Sequence, residues 1–562
     1  MTPLAPLVRW PRLETSGGRR TLVLSALLFL ALLFLLSVIF DDTFASKGVT
    51  PASVLLGVLC ITVAASCGKD PLHPARVLAA LLMIGFVLGP IIHVVTGIYA
   101  LPDGAERQRA LLGRATWLVL AGAALSFLAM RAALGHAWRA DLHQAKRQRL
   151  PRRTLLGGLA VASIGLVALA AYLILSGTGS VSLQGRGATY AVVPHEGREA
   201  YLGLLAPISL GGLLVIAAWA LERRSRWLFA LSAAVATGVG TLLALPGSRA
   251  NLLYAIAPVF FLYVAYRRFP KWRWIGVAVA ILVVVLSYGA SLRTVDTRSA
   301  LVHDPWRMLS ENAPKPTRLE RLLLVDVAHT EPLLGTMDAF PATSPFLGGE
   351  SAALGLTGPA GWKFAKVAGL RIDPPAGVTF TAVAYGRDPS TFDGGLTATL
   401  PGELYANAGV PGVLVGLGVF GAVLGLIRRR VVLSREPGRL VLYAAATTVL
   451  FAMFADYFGQ FYRGGAIVIG VVIALAVGRR SPFSFGQLVL AAVFIGASAA
   501  LLLLTRRLAG APPSETLTSF APVYAILGVL FVATCVTAAR WYRCSGLQRE
   551  GWFRLREPEL KD

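Results

Sequence analysis

Charge is scarce in this chain: Asp, Glu, Lys and Arg make up only 15% of its 562 residues, against 56% hydrophobic residues and a mean hydropathy of +0.66. Soluble domains carry about a quarter charged residues, so this composition excludes a water-soluble globular fold and points to a polytopic membrane protein. Cysteine is nearly absent as well. The four present, Cys60, Cys67, Cys535 and Cys544, lie in or beside hydrophobic stretches. That argues against a disulfide-stapled ectodomain, and without a CxxC pair or a His/Cys cluster no metal site is expected. Nucleotide machinery is missing too. "GKD" at 68–70 lacks the rest of a P-loop, and "GLGVFG" at 416–421, which fits G-x-G-x-x-G, lies inside an apolar run with no preceding strand. It reads as helix packing, and no cofactor is expected. The first apolar run ends in "DDTF" with no A-x-A site, so it reads as a membrane span and not a cleaved signal peptide. No internal repeat is evident.

What the chain has in abundance is apolar sequence. Runs that approach the length of a bilayer crossing recur at roughly 21–40, 51–67, 77–100, 115–134, 154–176, 201–221, 227–245, 252–266, 274–291, 404–427, 440–457, 466–478, 486–504 and 521–539. The expected fold is therefore an all-α polytopic integral membrane protein of about 14 transmembrane helices. Three parts are expected: an N-terminal bundle of about nine spans (1–291), a large external loop between spans 9 and 10 (292–401), and a C-terminal bundle of about five spans (402–562). The loop opens with "RTVDTRSALVHDPWRM", continues in the helix-like "RLERLLLVDVAHTEPLLGTMDAF", and ends rich in Gly and Pro. A segment this long is functional or disordered, and its aromatic and aliphatic content argues for a folded cap over an external cavity.

The formal net charge of +24 is placed by topology. With a cytoplasmic N-terminus, the inner loops hold about 33 of the 53 Lys and Arg in roughly 110 residues, with "RADLHQAKRQRLPRR" and "RRFPKWR" the densest. The basic balance thus reads as the positive-inside rule and contact with anionic membrane lipid, not as nucleic-acid binding. A multi-pass protein of a plasma membrane is the corresponding localisation.

Arginines on the outer side oppose that rule and need another reason to be there. Arg249, in "LPGSRANLLYAI" (245–256), falls in a short outer turn between spans 7 and 8. It can snorkel to lipid headgroups or act as a planar, permanently charged clamp for phosphate oxygens. Arg463, in "DYFGQFYRGGAIV", falls in another short outer turn beside Asp456, Tyr457 and Tyr462, where it can pair with the aspartate or bind an anion. Arg293 and Arg298 stand where span 9 emerges, and Arg186, with His195, lies in a further outer loop. Carboxylates matter equally. In "GELYANAGVPG", Glu403, Tyr405 and Asn407 fall within about two helical turns of one another at the mouth of an apolar run. Glu403 can serve simply as a negative charge at a helix N-terminus, or as a general base with Tyr405 and Asn407 orienting a substrate. His329, near Asp326 and Glu331, is a further acid/base or binding candidate, though a structural role fits it as well.

Four local features carry a resemblance: "GSRAN" in a short outer turn, the large late outer loop, "FLGGESAALGLTGPAGW" within it, and "GELYANAGVPG" leading into the next span. Together they resemble the bacterial O-antigen polymerase (Wzy) class, in the branch of oligosaccharide repeat unit polymerases. The sequence departs from that pattern at Ala360, which stands after Pro359 where the family has an arginine, and at Ala408, where an aromatic residue is usual. The resemblance implies a glycosyltransferase of the bacterial inner membrane that joins repeat units carried on undecaprenyl pyrophosphate at its outer face. Such an enzyme builds O-antigen, capsule or exopolysaccharide, often with a chain-length regulator as partner. The donor is already activated, so neither nucleotide nor metal is needed. On this reading Arg249, Arg293 and Arg463 stabilise the departing diphosphate, Glu403 receives the acceptor proton, and Tyr405 and Asn407 contact sugar. Two rivals are a lipid-linked oligosaccharide flippase and a polyprenyl-phosphate-dependent glycosyltransferase using Asp41 and Asp42. A third is an O-antigen ligase, whose expected histidine near the loop's end is missing from "LPGELYANAG".

Overall fold

The structure, a computed structural model, describes residues 47–68, 70–140, 142, 149–175, 202–203, 205–244, 250–267, 329–352, 375–390, 396–434, 436–455 and 459–477. Among them every regular element is helical. Ten of the fourteen apolar runs fall on described helices, and the runs at 21–40, 274–291, 486–504 and 521–539 lie outside the described residues. Six helical segments are long and apolar enough to cross a membrane, and four more are apolar but shorter.

The first half-molecule is built on α1 (Pro51–Ser66), the continuous pair α2 (Pro74–Leu82) and α3 (Gly89–Thr96), and the long α4 (Gly104–Leu134). Between α2 and α3, residues Met83–Leu88 form a wider π-helical turn. α4 begins well before its apolar run because Gln108 is buried, its amide donating to the Pro90 carbonyl at 3.0 Å. The second half-molecule comprises α5 (Arg152–Leu175), α6 (Ile208–Glu222), α7 (Arg226–Ala244) and α8 (Ala250–Tyr266). Two short helices, α9 (Thr330–Ala339) and α10 (Ala376–Ala384), precede the long α11 (Thr399–Val432), and α12 (Pro437–Ala455) and α13 (Gly459–Val477) follow it.

Two apolar cores result. One gathers α1, α2, α4, α9 and α11, and the other α5, α6, α7, α8 and α13. α12 joins them, giving Leu450, Met453 and Phe454 to the first and Leu440, Val441, Tyr443 and Val449 to the second. α6 is buried around its whole circumference, which explains why its sequence lacks a polar face. Glycines set the closest helix contacts. A Cβ at Gly421 would fall 2.0 Å from the Ser126 carbonyl of α4, and one at Gly425 2.7 Å from that of Met130. Of the glycine pattern at 416–421, only Gly421 lies in this helix–helix seam: Gly418 faces open space, and Gly416 makes room for Leu404 of the same chain segment.

Opposite ends of the bundle differ in character. At one end the turns after α1, α4 and α6 and the end of α11 meet, carrying Arg139, Arg149, Arg223 and Arg224, with Arg152 and Arg153 at the start of α5. There Arg428 of α11, with no exposed surface, pairs with Asp70 at 2.6 Å and donates to the Ala140 carbonyl at 2.9 Å. Arg76 caps the end of α1 by donating to the carbonyls of Ala64 (3.0 Å) and Gly68 (2.8 Å). His73 accepts the Ala75 N–H on Nδ1, so Nε2 carries the proton and donates to the Trp138 carbonyl at 3.0 Å. Glu222 receives the Leu150 N–H at 2.7 Å and the Tyr266 hydroxyl at 2.9 Å.

At the other end, described pieces of the 292–401 segment pack around the start of α11. A third, small core forms there from Leu101, Ala339, Phe340, Leu347, Ala376, Phe380, Ala398 and Ala406. α9 is pinned by complementary groups. The Thr330 hydroxyl donates to the Gly85 carbonyl of the π turn at 2.6 Å, and Glu331 accepts the N–H groups of Leu101 (2.6 Å) and Ala100 (2.8 Å). Arg107 closes the far end of α9 through Asp338 at 2.7 Å.

Candidate active site

The sequence "NAGVPG" breaks α11 near its start. Ala408 (φ −152°, ψ 19°) and Gly409 (φ 60°, ψ −147°) leave helical geometry, and the chain resumes a helix through Pro411. Gly409 takes a backbone conformation that a side chain would strain, and Pro411 offers a preset φ for the restart. Residues 399–407 thus form a short leg, and the long apolar part of α11 follows the break. Glu403, Tyr405 and Asn407 all stand on the leg.

The break also strands carbonyls. In an unbroken helix the Asn407 carbonyl would accept from residue 411, but proline has no N–H, and the turn at 408–409 removes the donor for Ala406. The segment 347–348 supplies the replacements: Leu347 N–H donates to Ala406 at 2.8 Å and Gly348 N–H to Asn407 at 3.0 Å. Gly348 (φ 56°) and Gly349 (φ 91°) then turn the chain so that Ser351 lies over the leg.

Ser351 Oγ is 2.5 Å from Glu403 Oε2 and 2.6 Å from Asn407 Nδ2. Asn407 Nδ2 also donates to the Glu403 carbonyl at 2.6 Å. That carbonyl can only accept, which fixes the amide orientation, so Ser351 accepts from Asn407 and its own proton must go to the Glu403 carboxylate. Glu403 is 1% exposed and Asn407 5%, whereas Ser351 is partly exposed. Asn407 Oδ1 is buried without a hydrogen-bond partner among the described residues.

The predicted trio is thus only partly brought together. Glu403 and Asn407, four apart, share one face of the leg. Tyr405 lies off that face, its ring 6.0 Å from Phe346 in an edge-on contact. His329 sits elsewhere, buried at the start of α9, with its ring 6.4 Å from that of Phe86. A Cβ at Gly85 would lie 2.8 Å from its Cδ2. Burial pushes the His329 imidazole down to about 4, so it is neutral in ordinary conditions. Arg186, Arg249, Arg293 and Arg298 lie outside the described residues, as does the side chain of Arg463. Among the described residues no group of three or more His, Cys, Asp or Glu is arranged to hold a metal.

Ser351 is the site residue that sequence reasoning missed. "FLGGES" was visible, but nothing in a linear pattern ties a serine to a carboxylate 52 residues later. The available signal was indirect: a G-x-P break leaves carbonyls that need foreign N–H donors, and a Gly-Gly turn is suited to bring them. No family model, no curated protein and no solved structure matches the chain.

Proposed function

We propose that this protein is a membrane glycosyltransferase that polymerises undecaprenyl-pyrophosphate-linked oligosaccharide repeat units into a surface polysaccharide at the outer face of the bacterial plasma membrane. The supporting observation is a buried carboxylate, Glu403, at the broken start of an apolar helix, hydrogen-bonded through Ser351 to a more accessible position. A buried acid near hydrocarbon is costly and persists where chemistry or a partner requires it. The resemblance of "GELYANAGVPG" and its neighbours to repeat unit polymerases supports the same reading. In this reaction the acceptor hydroxyl loses its proton toward Glu403 as it attacks the anomeric carbon. The lipid diphosphate departs, with Arg249, Arg293, Arg298 and Arg463 the proposed cations for its charge, and Tyr405 and Asn407 are the proposed sugar contacts.

Deleting the gene and analysing lipid-linked and surface glycans tests this. The expected result is single repeat units on the surface acceptor or on carrier lipid in the outer leaflet, with polymer restored by wild type but not by Glu403→Gln at equal membrane abundance. Accumulation on the inner leaflet would instead mark a flippase, and long polymer retained on the carrier a ligase. Normal chain lengths with Glu403→Gln would remove Glu403 from the chemistry.

A further inference from the structure

We infer that Ser351 is a catalytic proton relay: its hydroxyl touches the acceptor and passes the proton to Glu403. The inference rests on the glycosyl-transfer reading above and adds a residue to it. A general base must come within hydrogen-bond reach of the proton it removes. Glu403, at 1% exposure, is covered, and the partly exposed Ser351 stands over it.

The hydrogen-bond directions are those of a relay. Asn407 Nδ2 donates to Ser351 Oγ at 2.6 Å, which occupies one lone pair and turns the serine proton toward Glu403 Oε2 at 2.5 Å. A second lone pair on Ser351 Oγ is left to take a hydrogen bond from an incoming hydroxyl. The Gly-Gly turn and the two N–H bonds from Leu347 and Gly348 to the stranded carbonyls of the leg hold the serine in register with the carboxylate.

The step balances. The acceptor O–H bond breaks and its proton joins Ser351 Oγ, while the serine's own proton moves to Glu403 Oε2. The acceptor oxygen forms the new bond to the anomeric carbon. The bond from that carbon to the diphosphate oxygen breaks, and its electron pair leaves with the diphosphate.

The test uses purified full-length protein in lipid nanodiscs and lipid-linked repeat units extracted from the deletion strain. Ser351→Ala should lower the polymerisation rate by at least about 100-fold, the low end of what a positioned acid–base group contributes. Ser351→Thr, which keeps the hydroxyl, should stay within about tenfold of wild type, given that scale. Wild type in mixed H2O/D2O should give a curved rate dependence, as two protons in flight require, and a purely structural serine would not produce this. Thermal unfolding of each variant checks the fold. Near-wild-type rates in Ser351→Ala, equal losses in the Ala and Thr variants with intact folding, or a linear isotope dependence would each overturn the relay. Polymerisation by Glu403→Gln would also overturn the relay, whereas no polymerisation by the wild-type protein on these repeat units would overturn the functional reading itself, so the two failures are distinguishable.

Discussion

A guanidinium with no exposed surface must be compensated where it stands, and Arg428 has Asp70 at 2.6 Å for that purpose. In sequence Arg428 reads as one more inner-loop cation, because three arginines follow one another there and charge patterning cannot tell which is turned inward. Asp70 reads only as the end of an incomplete nucleotide motif. Their pairing over 358 residues ties the turn after α1 to the end of α11. Removing one partner of such a pair leaves an uncompensated buried charge and costs about 3–5 kcal/mol, whereas replacing both with apolar residues of similar size costs far less. Arg428→Met and Asp70→Leu should therefore each lower the unfolding midpoint sharply in detergent, and the double variant should recover most of the loss. Additive losses in the double variant would show that the two side chains do not compensate one another. Glu403 and Asn407 were legible as residues because a carboxylate beside an apolar run is conspicuous on its own. Ser351 was not, because its contact with Glu403 exists only once the chain has folded back.

At the scale of elements, hydropathy located the helices but not their irregularities. Met83–Leu88 is as apolar as any helical run, so nothing in its composition announces a π turn. The turn matters because it leaves the Gly85 carbonyl for Thr330 and makes room for His329 against a residue without a Cβ. Gly85→Ala should push α9 off this ledge, and His329→Ala should relieve it, giving a favourable coupling in a double-mutant cycle read by thermal unfolding. The same contact is pH-sensitive. The His329 imidazole titrates at about 4 when folded and at an ordinary 6.5 when unfolded, so between those values the unfolded chain binds more protons. Its contribution is fully present above about 6.5 and is lost as pH falls toward 4, a span worth about 3 kcal/mol at 1.4 kcal/mol per unit. Glu331 runs the other way. Burial raises its carboxyl, although the Ala100 and Leu101 N–H groups partly offset this, so its contribution weakens as pH rises above the ordinary carboxylate range. His329→Phe should flatten the loss of unfolding midpoint between pH 6.5 and 4.5. A slope unchanged from wild type would place the acid sensitivity elsewhere.

At the scale of the whole molecule, the proposed chemistry needs Glu403 on the side of the membrane opposite the cytoplasm. The arginine-rich turns gather at the end away from Glu403, the arrangement expected if they face the cytoplasm and the α9–α10 end faces out. The expected sidedness rests on counts of Lys and Arg in alternate loops, which sequence alone supplies. The packing of α9, α10 and the leg of α11 into a small core was not, since it is set by contacts between segments far apart in the chain. Sidedness can be measured directly. In a variant with all four cysteines replaced, Ser390→Cys at the α10 end and Arg224→Cys in the turn after α6 place single thiols at two exposed positions on opposite ends. A membrane-impermeant maleimide applied to intact spheroplasts should label the first at once and the second only after permeabilisation. Cys60 and Cys67 are buried, so replacing them by alanine is a packing change that must first be shown to leave unfolding near wild type. The reverse labelling order would put Glu403 on the cytoplasmic side, where a polymerase of outer-leaflet glycans cannot use it, and the functional proposal would fall with the topology. Labelling of both thiols from outside would mean that the turns do not alternate across a membrane, and the assignment of basic turns to the cytoplasm would go too.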